Sequence, residues 1–514
     1  MSNRNTTFVL ASVIVPLLIT AVIVVLFLLP TPKSGVAATV STAKPTAPDT
    51  NRLGPPSDFS TPAVLAATPP ANLWKGWTYG HSVTLAAAPA SALEDRPVNI
   101  RVSGLEPGEP VTLRTNMQDM KNRAWSAQAT FVADKSGIVD VAHAAPRYGS
   151  YSGVHAMGLV WAMVPESAAN PQNVLWIPKS NPKSHSYRIE LQALSDGRVL
   201  ASRTLERYAW RASNVKETRV NTNGLVGMLF RPRSPGPHPA IIVLGGSEGG
   251  LHPQVDEAAL FASHGYIALG LAYFQGYGNT DLSLANLPKQ LVDIRLEDFH
   301  KAADWIKRQP GVDAKHVAIM GWSKGAEAAL VAAATWPKDF QAVIGFMPSS
   351  VVWAGLQYGP ASSSWTLHGK PLPYVSFVAN PAMFKKGKPI AFVSAYAAGL
   401  KNKDAVEKAA ISVEHIAGPV LLIAANDDQI WPSCLMAQQV MQRLQAHHHA
   451  YADQSLCYQG AGHIILPPYR PTNSNAAALP GGGSILFGGD PIAYAFADRN
   501  AWSKILAFLQ TASH

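Results

Sequence analysis

The sequence of 514 residues contains only two cysteines, and charged residues make up only 15% of it. Two cysteines exclude a disulfide-dense scaffold, and no Cys/His spacing typical of a zinc site occurs. There is no run of five or more basic residues and no aromatic-basic repeat. The net charge of +9 therefore indicates a dispersed basic surface rather than a nucleic-acid-binding one. We predict no metal, no cofactor and no nucleic-acid partner.

The longest hydrophobic run lies near the N-terminus, between residues 8 and 29. No charge occurs between Arg4 and Lys33, and the run is longer than a usual signal-peptide core. We predict a signal anchor, one transmembrane helix over residues 1–31, which attaches the chain to a membrane. A cleaved secretory signal is the alternative, because Val36-Ala-Ala38 resembles a cleavage site. In both cases we expect the bulk of the chain to be extracytoplasmic, although the flanking charges leave the orientation open.

Residues 32–78 are predicted to be a linker that does not order itself. Nine prolines occur between Pro30 and Pro70, mixed with Ala, Thr and Ser, and such a composition buries little apolar surface. From residue 79 the pattern changes to short runs with period two, such as Val98–Val102 and Tyr187–Ala193. Turn signals separate these runs. We therefore predict a small, all-β, immunoglobulin-like sandwich over residues 79–210.

Residues 211–514 alternate strand and helix patterns instead. A strand over residues 240–246 is followed by a predicted helix over 257–263 and a strand over 266–274. A further amphipathic helix precedes Pro310. This order predicts an α/β domain with a doubly wound, mostly parallel sheet.

The central motif of that domain is Gly321-Trp-Ser-Lys-Gly325. The apolar run Val317–Met320 predicts a buried strand before it, and the Ala/Leu-rich segment 326–334 predicts a helix after it. A G-x-S-x-G sequence between a strand and a helix is typical of a nucleophile elbow, in which glycines allow the tight turn that exposes the serine. Ser323 is therefore the candidate nucleophile.

Candidate partners follow Ser323 in the order that an α/β-hydrolase requires, acid and then histidine. An apolar strand from Gly418 ends in Asp427-Asp428, and we favour Asp428 because the spacing Asp428-Gln-Ile-Trp431 is usual at such a strand end. Asp427 remains an alternative. The next strand leads to His463, which could take the Ser323 proton and return it to the leaving group.

The loop Gly245-Gly-Ser-Glu-Gly-Gly250 follows the first parallel strand. It lacks the Gly-Lys-Ser/Thr ending and the G-x-G-x-x-G spacing of phosphate-binding loops. In an α/β-hydrolase this loop supplies one oxyanion donor, and the residue after the nucleophile supplies the other. We predict that the backbone N–H groups of Ser247 and Lys324 form the oxyanion hole.

The sequence resembles the family of acyl-CoA thioesterases and bile acid-CoA:amino acid N-acyltransferases. The resemblance covers nearly all of the chain after residue 78, in the same order through both predicted domains. It rests on Met157-Gly-Leu-Val-Trp-Ala162, Arg207-Tyr208, Gly321-Trp-Ser-Lys-Gly-Ala326, Asp427-Asp-Gln-Ile-Trp431, Arg443-Leu-Gln-Ala-His447, Gly462-His-Ile-Ile-Leu-Pro-Pro-Tyr469 and Gly488-Gly-Asp-Pro491. The resemblance implies an N-terminal β-sandwich, a C-terminal α/β-hydrolase domain and cleavage of a small-molecule acyl thioester by Ser323, Asp428 and His463.

Two departures from the family affect the predicted reaction. The transferase members carry cysteine at the elbow, whereas this chain has Ser323, and a serine ester is normally discharged by water, so hydrolysis is favoured over transfer to an amino acid. The familiar members also lack a membrane segment, and acyl-CoA is scarce outside the cytoplasm. A carboxylesterase or dienelactone-hydrolase-like esterase is therefore an alternative. A non-catalytic envelope protein is a further one, against which the intact Ser/Asp/His order speaks.

Two structural questions stay open at this stage. Cys434 and Cys457 could form a disulfide or remain two buried thiols. The segment from Ser349 to His415 is rich in aromatic residues, among them Trp353, Tyr358, Trp365, Tyr374 and Phe377. They could line an acyl pocket over the site or pack against the sheet as a structural insertion.

Overall fold

The computed structural model describes residues 52–54, 68–77, 82–181, 184–252, 254–276, 281–357, 359–385, 387–479 and 483–512. The predicted transmembrane segment at residues 1–31 lies outside these ranges. Within the part of the chain that is described, no helix has both the length and the apolar character needed to cross a bilayer.

A short strand from the predicted linker joins the sheet of the C-terminal half. Strand β1 (Arg52–Leu53) pairs in parallel with the strand Gln454–Tyr458, and the N–H of Gln459 donates to the carbonyl of Leu53 at 2.9 Å. The expectation that residues 32–78 stay unordered is therefore wrong at 52–54. The reason is that an open sheet edge offers backbone hydrogen bonds to any extended segment, whatever its composition.

Between residues 84 and 208 the described chain forms ten strands, one short α-helix, α1 (Gly158–Trp161), and a 3-10 helix (Pro171–Asn173). The strands are β2 (Thr84–Ala88), β3 (Ser91–Leu93), β4 (Asn99–Ser103), β5 (Pro110–Gln118), β6 (Ala124–Val132), β7 (Val139–Asp140), β8 (Tyr148–Gly149), β9 (Val164–Pro165), β10 (Ser186–Ser195) and β11 (Arg198–Tyr208).

These strands form two sheets around one apolar core. The larger has the order β3-β11-β10-β5-β6-β8, with β9 also paired to β6, and the smaller has the order β2-β4-β7. Every second residue of β4 is buried, as the period-two pattern predicts, and the core includes the fully buried side chains of Trp125 and Phe131. Two sheets around one core agree with the β-sandwich predicted for residues 79–210.

From residue 215 onwards, strands and helices alternate. The strands are β12 (Val215–Thr222), β13 (Leu225–Pro232), β14 (His238–Leu244), β15 (Ile267–Ala272), β16 (Ile294–Arg295), β17 (Val312–Trp322), β18 (Ala342–Phe346), β19 (Trp365–Leu367), β20 (Lys370–Pro371), β21 (Val420–Ala425), β22 (Gln454–Tyr458), β23 (Ala476–Ala478) and β24 (Ser484–Leu486). The helices are α2 (Gln254–Ser263), α3 (Glu297–Lys307), α4 (Lys324–Thr335), α5 (Val393–Gly399), α6 (Lys403–Ala409), α7 (Ser433–Ala446) and α8 (Pro491–Ala512).

The main sheet has the order β12-β13-β15-β14-β17-β18-β21-β22-β1. Strands β12 and β13 are antiparallel to their neighbours, and all pairs from β15 to β1 are parallel. This order, with an antiparallel second strand and β14 exchanged with β15, is that of the α/β-hydrolase fold. The predicted fold of the C-terminal half is confirmed.

Helices cover both faces of this sheet and create two apolar cores. On one face, α3, α4 and α7 contribute Phe299, Leu330 and Val440. On the other face, α2 and α8 contribute Phe261 and Ile505. Because both faces are covered, all residues of β15, β18 and β21 are buried.

The two cysteines form a disulfide, with an Sγ–Sγ distance of 2.04 Å. Cys434 lies in the first turn of α7 and Cys457 lies in β22, so the bridge joins the two elements that adjoin the loops carrying Asp428 and His463. Of the two alternatives for these cysteines, the structure has the disulfide.

Candidate active site

The elbow at the end of β17 is a turn that only glycine permits on either side of the serine. An ideal Cβ on Gly321 would overlap with the backbone of Gly325, and one on Gly325 would overlap with the carbonyl of Gly245. Ser323 itself has φ +52° and ψ −116°, a conformation that costs a non-glycine residue about 1–3 kcal/mol. Such strain is expected where the chain must present a side chain at a fixed point above the sheet.

Backbone hydrogen bonds hold this conformation. The N–H of Ser323 donates to the carbonyl of Phe346 in β18 at 2.8 Å, and the Ser323 carbonyl accepts the N–H groups of Ala326 and Glu327 at 3.0 and 3.1 Å. The serine therefore caps α4 through its main chain, and its hydroxyl lies at the N-terminal end of a helix, where a developing negative charge is stabilised.

Asp428 and His463 are hydrogen-bonded to each other. Nδ1 of His463 lies 2.9 Å from both Oδ1 and Oδ2 of Asp428. Asp428 is 4% exposed, and its Oδ1 also accepts the backbone N–H groups of Ile430 at 2.9 Å and Trp431 at 3.2 Å. A carboxylate fixed in this way assigns the proton to Nδ1 and leaves Nε2 unprotonated, which is the tautomer that a general base requires.

The neighbouring Asp427 has different partners. Its Oδ2 accepts the N–H of Gly489 at 2.8 Å, and its Oδ1 accepts the side-chain amide of Gln429 at 2.8 Å. Asp427 therefore fixes the loop that precedes α8 and does not contact the imidazole. Of the two aspartates that sequence patterns leave open, Asp428 is the one beside His463.

The loop carrying His463 is joined to the elbow through Trp322, the residue before the nucleophile. Its indole N–H donates to the carbonyl of Ile465 at 3.1 Å, and its ring stacks on Phe346 with centroids 4.7 Å apart. Among the described residues no hydrogen bond links the Ser323 hydroxyl to the imidazole of His463. Catalytic hydrogen bonds are often long before substrate binds.

The loop after β14 lies against the elbow. An ideal Cβ on Gly246 would lie 3.4 Å from Cβ of Ser323, so Ser247 follows directly after the point of contact. The hydroxyl of Tyr273 donates to the carbonyls of Gly245 and Gly246 at 2.8 and 3.0 Å, which holds the loop in place. This is where the fold supplies its first oxyanion donor.

Lys324, whose N–H is the second predicted oxyanion donor, has a buried side chain that is paired within the helix. It is the first residue of α4, and the first N–H groups of a helix have no partner within the helix. Its side chain is 2% exposed, and Nζ donates to Oε2 of Glu327 at 2.6 Å. The other carboxylate oxygen of Glu327 accepts the N–H of Trp353 and the indole N–H of Trp365. The buried ion pair of Lys324 and Glu327 thus stabilises the first turn of α4, next to the elbow.

Glu248 is a site residue that the sequence patterns do not single out. Its Oε1 accepts the N–H of Gly246 at 2.7 Å, and the ideal Cβ position on Gly246 lies 2.8 Å from its Oε2. Burial raises the pKa of this carboxyl to about 7, and attraction to His463 opposes the rise. The only signal in the sequence is an acidic residue inside the glycine-rich loop after the first parallel strand.

The aromatic residues of the segment 349–415 pack inward where they are described. Trp353 and Trp365 are fully buried against α4. Phe377 and Tyr396 join a cluster that includes Trp431, which lies next to the acid. Tyr358 lies outside the described residues. Trp353 and Trp365 therefore have a structural role, because they pack against the elbow helix.

Comparison with known proteins gives the family. The model "Acyl-CoA thioester hydrolase/BAAT N-terminal region" matches residues 95–222, and the model "BAAT / Acyl-CoA thioester hydrolase C terminal" matches residues 294–513. The mouse (Mus musculus) protein acyl-coenzyme A thioesterase 2, mitochondrial, is 32% identical over 88% of this chain and 94% of its own length. The chain belongs to this family.

Within the acyl-CoA thioester hydrolase/BAAT family, the relatives include both hydrolases and a transferase. Acyl-coenzyme A amino acid N-acyltransferase 1 of Mus musculus is 30% identical over 83% of this chain and 97% of its own length. Among solved structures, a puromycin-hydrolyzing peptidase of Mycobacterium tuberculosis matches 82% of this chain and 66% of its own, with 15% identity and a TM-score of 0.39. The resemblance inferred from the sequence motifs is confirmed.

Proposed function

We propose that this chain is a serine hydrolase that cleaves acyl thioesters, with an acyl-CoA as the substrate type, through an acyl-enzyme on Ser323. The observation that carries the proposal is the pairing of His463 with the buried carboxylate of Asp428, on a loop hydrogen-bonded to the residue before Ser323. The relatives named acyl-coenzyme A thioesterases support the thioester as the bond that is broken.

The proposed reaction has two halves. In the first, Nε2 of His463 takes the Ser323 proton while Oγ attacks the thioester carbonyl, and the N–H groups of Ser247 and Lys324 stabilise the oxyanion. The carbon–sulfur bond breaks, and the imidazolium returns its proton to the leaving thiolate. In the second half, His463 deprotonates a water that attacks the acyl-serine ester and then returns that proton to Oγ of Ser323 as the ester bond breaks. The products are a carboxylic acid and free Ser323.

Water is the expected acceptor because the nucleophile is oxygen. An acyl group on serine is an ordinary ester, which is less activated towards an amine than a thioester on cysteine. Transfer of the acyl group to an amino acid is the second candidate reaction, and the relative named as an N-acyltransferase supports it. Hydrolysis of a carboxylic ester is the third, since the same three residues serve both bonds.

The test is a panel of acyl-CoA thioesters and p-nitrophenyl esters, with wild-type protein and Ser323→Ala. Released CoA thiol and conjugate formed with added glycine or taurine would be measured together. We expect thioester turnover without conjugate, and a loss of about 10⁴-fold or more in Ser323→Ala. Conjugate as the main product would favour transfer, and turnover of p-nitrophenyl esters alone would favour an esterase. Folded protein that turns over neither class and does not react with a fluorophosphonate would contradict an enzymatic role.

We further propose that residues 1–31 attach the protein to a membrane and that its folded part is extracytoplasmic. The uninterrupted apolar run supports the anchor, and the Cys434–Cys457 disulfide supports an oxidising compartment. Washed membranes should retain the protein, and an impermeant protease added to intact cells should remove its folded part. Release as a soluble, N-terminally trimmed protein would instead indicate a cleaved signal.

A further inference from the structure

The loop that carries His463 does not rest only on its own domain. Beyond His463, the backbone N–H of Leu466 donates to Asp498 of α8 at 2.9 Å. Further along, Thr472 reaches the β-sandwich, where its N–H and its hydroxyl both lie within hydrogen-bond distance of the Trp161 carbonyl, at 3.0 and 3.2 Å. The far end of the loop is therefore fixed to α1 of the sandwich.

Between these two attachments, Arg470 joins the loop to both domains through one carboxyl side chain in each. Its Nη2 lies 2.7 Å from Oε1 of Glu94, and its Nη1 lies 3.3 Å from Oε1 of Glu257. Glu94 follows β3 in the sandwich, and Glu257 is in α2 of the hydrolase domain. All three side chains are buried, with exposed fractions of 2% for Glu94, 0% for Glu257 and 8% for Arg470.

Glu94 is the closer of the two carboxyl partners of Arg470, at 2.7 Å against 3.3 Å for Glu257. Burial raises the pKa of Glu257 to about 8, so this carboxyl is mostly protonated at neutral pH. Glu94 is in turn held by the sandwich, because the Tyr187 hydroxyl donates to its Oε2 at 3.5 Å and Nη2 of Arg207 donates to its carbonyl at 2.9 Å. Removing one partner of a buried pair leaves an unpaired charge, which is strongly destabilising at that point.

We propose that Glu94 is a positioning residue for catalysis: through Arg470 it holds the loop that carries His463, so that the β-sandwich completes the active site of the hydrolase domain. The inference rests on the proposed function, because it assigns His463 as the base. It also explains why the described chain has the sandwich packed against this loop rather than as a detached module.

The junction provides a matched control one residue away. Asp95 is also buried, at 8% exposure, and also crosses from the sandwich to the hydrolase domain. Its Oδ2 accepts from His264 at 2.6 Å and from the indole of Trp502 at 2.8 Å. Neither partner lies on the His463 loop, so Asp95→Asn disturbs the same interface without touching the contact that positions the base.

The experiment compares Glu94→Gln with Asp95→Asn in the full chain, using an acyl-CoA thioester that the wild type hydrolyses. We expect Glu94→Gln to lower kcat about 10- to 100-fold, since a displacement of the base by about 1 Å has effects of this size, with KM nearly unchanged. Asp95→Asn should lower the melting temperature comparably and leave kcat near the wild-type value. Glu94→Asp should recover part of the lost kcat.

A second measurement does not depend on turnover. In the wild type, the Nδ1 proton shared by His463 and Asp428 should give a downfield ¹H resonance, which Glu94→Gln should weaken or shift and Asp95→Asn should retain. If the wild type hydrolysed no acyl-CoA, the proposed function would fail while this resonance still tested the positioning. Equal effects of the two substitutions on kcat and on the resonance, or a wild-type kcat in folded Glu94→Gln, would overturn the inference. Should Glu94→Gln not fold, the same comparison is made with Arg470→Lys.

Discussion

The adjacent aspartates after β21 allow one substitution to be tested against its neighbour. In Asp428→Asn, the carboxamide can no longer accept the Nδ1 proton of His463 with both oxygens and will hold the imidazole in the wrong tautomer. The loss expected for such a change is about 10³- to 10⁴-fold in kcat, or about 4–5.5 kcal/mol of transition-state stabilisation. The substitution keeps the shape of the side chain, and the backbone N–H groups of Ile430 and Trp431 can still bond to Oδ1.

Asp427→Asn should behave differently because its carboxylate binds Gly489 and Gln429 and not the imidazole. We expect kcat within about threefold of the wild type and a loss of about 1 kcal/mol in the free energy of unfolding, as for one weakened hydrogen bond.

The assay is steady-state release of CoA thiol at saturating substrate, with the free energy of unfolding of each variant from urea titration. The reasoning would be refuted if folded Asp428→Asn kept more than about a tenth of the wild-type kcat. It would equally be refuted if Asp427→Asn lost as much activity as Asp428→Asn at a similar stability.

Three further outcomes are expected. Burial raises the pKa of Glu248 to about 7, so this carboxyl ionises near neutral pH and then puts a negative charge beside the oxyanion site. In a pH–rate profile, wild-type kcat should fall as the pH rises through about 7, and Glu248→Gln should lack this fall. Cys434→Ser removes the bridge to Cys457, which should cost about 3 kcal/mol of stability in thermal unfolding with little change in kcat. Burial raises the pKa of Glu257 from 4.5 in the unfolded chain to about 8 in the fold. The free energy of unfolding from urea titration should therefore fall as the pH rises from 4.5 to about 8, and the fall should be smaller in Glu257→Gln.

The sequence predicts those features whose cause is local. The order of strands and helices follows from periodicity, and the elbow follows from two glycines that flank Ser323. His463 is predicted because it comes after the last strand, and all carboxyl ends of parallel strands meet at one edge of the sheet.

Features that depend on distant partners are not predictable in this way. The backbone partner of Asp427, the N–H of Gly489, lies 62 residues along the chain. The role of Arg470 depends on Glu94, which is 376 residues away. No periodicity or spacing rule relates such pairs, since they meet only when the chain folds.

The central claim is that a covalent acyl-enzyme forms on Ser323. The most direct measurement mixes the protein with an acyl-CoA thioester, quenches with acid within milliseconds, and analyses intact protein and peptides by mass spectrometry. We predict an adduct of one acyl group on the peptide containing Ser323, absent in Ser323→Ala. Turnover of the thioester with no acylated Ser323 at any time, or at an undiminished rate in Ser323→Ala, would contradict it.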